Sequence, residues 1–100
     1  MLILLPLDSK DPEEAKLAHL DKVKVWGLVD LESGKVQKID FYEDRHEIGD
    51  FIDCVVVASK YDDVWPFVEE SIPVLEAPIQ RYIDDVIEAF LFKELYEVKI

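Results

Sequence analysis

Asp53-Cys54-Val55-Val56-Val57-Ala58-Ser59 is apolar throughout its middle and rich in β-branched side chains. Its residues do not alternate apolar with polar, as those of a strand with one wet face would. The stretch therefore predicts a strand buried on both faces, in the middle of a sheet flanked by helices. A helical segment from Asp63 to about Ser71 follows. Asp63 caps it, Pro66 falls in its first turn, where a missing N–H does no harm, and Val64, Phe67 and Val68 form its buried side. A second apolar run, Ile72-Pro73-Val74-Leu75-Glu76-Ala77, comes next. Strand, helix and strand in so short a span predict a right-handed βαβ unit with its strands parallel.

Upstream, Leu2-Ile3-Leu4-Leu5-Pro6-Leu7 reads as a first strand, with Pro6 near its end or at a bulge because it lacks a ladder donor. Asp11-Pro12-Glu13-Glu14 reads as a helix start, and the helix is expected to run to His19 or Leu20 with Leu17 and Leu20 inward. Lys22–Leu31 and Lys35–Tyr42 are the arms of a hairpin turned at Glu32-Ser33-Gly34-Lys35, where Gly34 is free to take φ > 0. Val36, Ile39 and Phe41 break strict alternation, which points to a bulge or an early strand end. Glu43–Ile52 is polar and is expected to hold at most a turn or two of helix. Downstream, Ile79, Tyr82, Ile83, Val86, Ile87 and Phe90 form one continuous helical face, and Tyr96–Ile100 alternates as a short edge strand would. The expectation is a single α/β domain over residues 1–100. Its mixed five-stranded sheet combines an antiparallel hairpin with parallel βαβ elements, flanked by helices.

Half of the 100 residues are hydrophobic, enough for a globular core. Asp and Glu number 23 against 11 Lys and Arg, a formal net charge of −12. A surface of that sign repels phosphate backbones, so nucleic acid and anionic membrane are not expected partners, whereas a basic protein or a metal-containing ligand is compatible. The same charge also simply keeps a small protein soluble. The single cysteine permits no internal disulfide. The apolar opening Met1–Leu7 lacks a basic start and is too short for a signal or a membrane span, so a cytoplasmic location is expected.

No Gly-rich phosphate loop, Gly-x-Ser-x-Gly or His-Glu-x-x-His is present, and no enzyme is expected. Pairs such as Asp62-Asp63 and Asp84-Asp85 read as solvated faces and helix starts in so acidic a chain. Three residues have metal-ligand chemistry: His19, His46 and Cys54. Each also has a plain reading. His19 is a C-terminal helix residue, where the helix dipole favours a cation, His46 a solvated loop residue, and Cys54 a small core side chain. Ligands of open α/β sheets bind beyond the carboxyl ends of parallel strands. That rim carries Ser9 and Lys10 after the first strand and Ser59 and Lys60 after the central one, a candidate anion site set against ordinary turn chemistry.

Several strings together resemble the dinitrogenase iron–molybdenum cofactor-binding family, small proteins with a ribonuclease-H-like fold. Ile3-Leu4-Leu5-Pro6-Leu7-Asp8 is similar to its first strand, and Leu28-Val29-Asp30 with Gly34 and Val36 to its hairpin. Ile52-Asp53-Cys54-Val55-Val56-Val57-Ala58 resembles its Val-Asp-x-Val-Val strand. Ile72-Pro73-Val74-Leu75 and Ile83-Asp84-Asp85-Val86-Ile87 resemble its closing strand and helix. The resemblance implies a non-catalytic binder or carrier of an iron–sulfur or iron–molybdenum type cluster, served by a donor or acceptor protein, with His19 and His46 as the residues that touch the cluster. The chain has Leu20-Asp21 where the family has Phe-Gly after the histidine. Its His-Gly-x-Gly loop corresponds here to His46-Glu47-Ile48-Gly49. These differences support an alternative, an acidic interaction module that kept the fold and lost the cofactor. The family's helix after that loop is nearly absent, although the ten residues Glu43–Ile52 can span about 33 Å when extended. A sheet face left partly bare would be covered by the first helix or by a second chain, so a homodimer through that face or through Leu91 and Phe92 is expected.

Overall fold

The computed structural model describes residues 1–99. In chain order it contains β1 (Leu2–Leu7), β2 (Val25–Glu32), β3 (Lys35–Tyr42), β4 (Cys54–Val57), α1 (Trp65–Glu69), β5 (Val74–Glu76), α2 (Ile83–Leu91) and β6 (Tyr96–Glu97). Short 3-10 turns lie at Leu20–Lys22 and Arg45–Glu47. The strands form one mixed sheet in the order β3-β2-β1-β4-β5-β6. β1, β4 and β5 run parallel, while β2 is antiparallel to both β1 and β3, and β6 is antiparallel to β5. The order of the first five strands is the ribonuclease-H-like one. The sixth, two residues of the expected tail strand, raises the count above the five read from the sequence; Ile100 lies outside the described residues.

β4 is buried along its whole length, as its unbroken apolar run requires. Alternate residues of β1 and β4 feed two separate cores. Ile3, Leu5, Leu7, Cys54 and Val56 pack with Ile83, Val86 and Ile87 of α2. Leu4, Val55 and Val57 pack with Val64 and Phe67 on the α1 side. The connection from β3 to β4 covers that second face itself, through Ile48 and Ile52. It holds one 3-10 turn closed by a capping box: the His46 N–H donates to the Asp44 carboxylate and the Asp44 N–H to Glu47.

The hairpin turn has Ser33 at φ 53° and Gly34 at φ 76°, the two left-handed residues that a twisted two-residue turn requires. The irregular spacing of Val36 and Ile39 is a bulge, where the β2–β3 register shifts between Asp30 and Leu31.

Two expected helices change. The first is only a turn: Asp11 caps it through the N–H groups of Glu13 and Glu14, and Ala15 closes on the Asp11 carbonyl. The chain then extends, because the backbone donors of Leu17 and Ala18 are taken by the carbonyls of Arg81 and Pro6. These tertiary bonds win over four residues that present no apolar stripe to hold a helix down. The second change is at α2, which begins at Ile83 rather than Ile79. Ahead of it, the Arg81 guanidinium gathers the carbonyls of Ala77, Pro78 and Gln80, and Tyr82 is extended and bridged to Lys16. Ile79 is consequently 81% exposed. Among the described residues no helix is long and apolar enough to cross a membrane.

Candidate functional site

β1 and β4 are parallel neighbours, so the segments that follow them emerge side by side. Ser9 and Ser59 spend their hydroxyls locally: each Oγ accepts the N–H two residues on, from Asp11 and Tyr61 respectively. The Lys10 ammonium lies 3.8 Å from Glu43, and that of Lys60 lies 5.4 Å from the Tyr61 ring centre. The four rim residues do not converge on an anion, and none of them lines the adjacent cleft. Both serine hydroxyls thus take part in ordinary turn chemistry.

The cleft itself has a volume of about 510 Å³ and is built from other residues. Its apolar walls are Trp26 and Phe67, packed edge to face at 6.1 Å between ring centres, with Leu20 and Pro66 beside them. Its polar side is Asp21, Asp62, Asp63 and the strongly exposed Tyr61. Arg45 is the one cation in the lining, and its charge is already committed. It stacks 4.5 Å over Phe67 and pairs bidentately with Glu70, at 2.6 and 3.1 Å. The cleft is therefore negative, a setting for a cationic or metal-bearing ligand.

His19 is not in the lining but adjoins it, next to Leu20 on the N-terminal side of the 3-10 turn at Leu20–Lys22. The Asp62 carboxylate, largely buried, accepts the Leu20 N–H at 3.1 Å and the His19 Nδ1–H at 3.0 Å. A carboxylate only accepts, so Nδ1 carries a proton, and in the neutral ring Nε2 is the nitrogen left with a lone pair. An imidazole backed in this way has the fixed orientation of a metal ligand. His46 repeats the pattern, with Nδ1 donating to Asp44 Oδ1 at 3.0 Å, beside a separate depression of about 320 Å³. The two histidines do not share a donor set: among the described residues no group of three or more His, Cys, Asp or Glu side chains is placed to hold a metal ion. Cys54 belongs to the core, and burial pushes its thiol up to about 12. We expect iodoacetamide to label it no faster than the protein opens; labelling at the rate of a free thiol in the folded state would contradict this placement.

The Arg45–Glu70 pair gives the cleft wall a pH dependence. The Arg45 guanidinium holds the Glu70 carboxyl below the ordinary glutamate range, and the His46 backbone N–H and ring do the same for Asp44. A depressed carboxyl contributes stability that is present above its unfolded pKa and lost as pH falls through its folded one. Arg45→Met is expected to cost roughly 1 kcal/mol at neutral pH, because the pair is partly solvated. It should also lose less stability than the parent between about pH 5 and pH 3 in urea titrations. An unchanged acid slope would remove the pair from the account.

The sequence candidates His19 and His46 lie beside the two depressions, while Asp62, Arg45 and Trp26, which line the cleft, were not read from the sequence as parts of a site. Asp62 meets His19 across 43 residues, and no local signal announces that contact.

The architecture has close counterparts among solved structures. A crystal structure of a "putative dinitrogenase" from Methanocaldococcus jannaschii superposes with a TM-score of 0.76 at 14% identity, over 99% of this chain and 95% of that one. An NMR structure of a protein of the same name from Methanococcus jannaschii gives 0.76 and 14%, over 100% and 94%. The crystal structure of PH0822 gives 0.74 at 18% identity, over 97% and 96%. The chain has their fold. No family model and no curated protein matches its sequence. At such identities the likeness establishes architecture, and the chemistry has to be argued from this chain's own side chains.

Proposed function

We propose that this chain is a small non-catalytic protein that holds an iron–sulfur or iron–molybdenum type cluster as cargo, between a donor and an acceptor protein. The observation that carries the reading is the His19–Asp62 pair, an imidazole oriented by a carboxylate that lines an aromatic-walled cleft. A bare metal ion would need a closed set of protein ligands, which the described residues do not supply. A preassembled cluster whose other irons carry terminal ligands of their own needs a single ligand from the protein, which His19 would supply and which is few enough to release it. The shared fold with proteins named for dinitrogenase supports the same reading. It is tested by titrating the protein under argon with a preassembled iron–sulfur cluster and following the visible absorption. Saturation near one cluster per chain supports it, and no spectral change refutes it.

A second reading rests on a different observation. Three carboxylates line the cleft, its arginine is neutralised, and the chain carries a net charge of −12. Such a surface suits a basic protein partner. If this reading holds instead, binding is independent of cluster and weakens steeply with salt.

A further inference from the structure

We propose that β3 is a self-pairing edge through which two copies of this chain join their sheets into one, with Ile39 on the two-fold axis. β3 ends the sheet and is paired on one side only, with β2. It is eight residues long and lies half-buried or exposed throughout, whereas β6 at the opposite edge has two residues. An edge of that length without proline is a template for another strand.

The hydrogen-bond parity of the sheet fixes which residues are available. Met1 and Leu31 exchange bonds, the Leu31 N–H to the Met1 carbonyl at 2.8 Å and the Met1 nitrogen to the Leu31 carbonyl at 3.0 Å. In an antiparallel ladder such pairs alternate. The odd-numbered residues of β2 therefore bond β1, and the even-numbered ones bond β3. Lys38 and Asp40, opposite Asp30 and Leu28, turn their backbone groups toward β2, and Ile39 and Phe41 turn theirs outward.

Charge then selects the register. A two-fold axis through Lys38 would set lysine against lysine, and one through Asp40 would set aspartate against aspartate. An axis through Ile39 makes the central pair a hydrogen-bonded one and places each Lys38, already 3.4 Å from Asp40 of its own strand, opposite Asp40 of the other copy, so that the four charges alternate. Those two pairs are non-hydrogen-bonded, where side chains approach most closely. Val36 then faces Tyr42, so the overlap runs from the bulge to the strand end. Among the strands, β3 is the one in which lysines outnumber acidic residues, so this edge escapes the repulsion that a net charge of −12 imposes elsewhere. The interface would also cover Val36, 42% exposed as it stands.

Sedimentation velocity of the full chain over a wide concentration range tests the proposal. The parent chain is expected to be a reversible dimer. Lys38→Asp replaces two attractive cross-strand pairs by two repulsive ones and should weaken dimerisation by about tenfold or more. The double variant Lys38→Asp/Asp40→Lys should restore it, and circular dichroism checks that both variants keep the fold. Ile39→Pro removes an outward N–H that β2 does not use and should give a monomer. A parent chain that stays monomeric overturns the proposal, even if the edge captures an unrelated strand-forming peptide. So does a dimer indifferent to Lys38→Asp, or a charge swap that fails to rescue it.

Discussion

Val56→Asp is expected to leave no folded protein at room temperature. Val56 is fully buried in β4, between β1 and β5, and its side chain lies in the core under α2. The substitution removes roughly 2 kcal/mol of apolar burial. It also sets a carboxyl among hydrocarbon with no donor in reach, which costs several kcal/mol more even if the group takes up a proton. Against a total stability of about 5–15 kcal/mol, with a chain this small near the lower end, the sum is enough to unfold it. The milder Val56→Ala should remain folded and lose about 2 kcal/mol, read as a lower urea midpoint with an unchanged slope. A folded Val56→Asp chain of near-parental stability would mean that β4 is not the buried centre of the sheet.

His19→Ala is expected to give the largest functional loss, lowering retention of a bound cluster by at least about tenfold, because it removes the imidazole that a carboxylate of the cleft lining holds in place. Asp62→Asn is the sharper variant. Its amide oxygen can still accept the Leu20 N–H, so the loop stays in place, but the carboxylate oxygen and the negative charge that back His19 Nδ1 are gone. Retention should fall by about tenfold with the fold intact. His46→Ala, in the separate depression, should have the smaller effect. Equal retention in the parent, His19→Ala and Asp62→Asn would place the ligand elsewhere.

Most of the sheet was legible because its strands announce themselves locally. The run from Cys54 to Val57 has nothing polar to expose, the Ser33-Gly34 turn fits a two-residue hairpin, and the spacing of Val36 and Ile39 signals the bulge that the register shows. What was misread depends on distant partners. The helix signals at Asp11–Glu14 are real, and Asp11 does cap a turn. Arg81 and Pro6 then draw the next donors away, which no window of local sequence contains. The same Arg81, by gathering carbonyls ahead of α2, moves the helix start past Ile79. The site was half legible for the same reason. His19 and His46 stand out as residue types, but the carboxylate that makes His19 a candidate ligand comes from the loop after β4. The lysines that suggested an anion site lie 3.8 Å from Glu43 and 5.4 Å from the Tyr61 ring centre, contacts made after the chain has folded.

The most direct test of cluster carriage is the iron and molybdenum content per chain, with an absorption spectrum, of protein purified without oxygen from metal-replete cells. Cluster carriage predicts near-stoichiometric iron and a visible charge-transfer band that is lost in His19→Ala. A colourless, metal-free protein that also fails to take up a supplied cluster would contradict it, and the acidic cleft would then stand as a docking site for a basic protein.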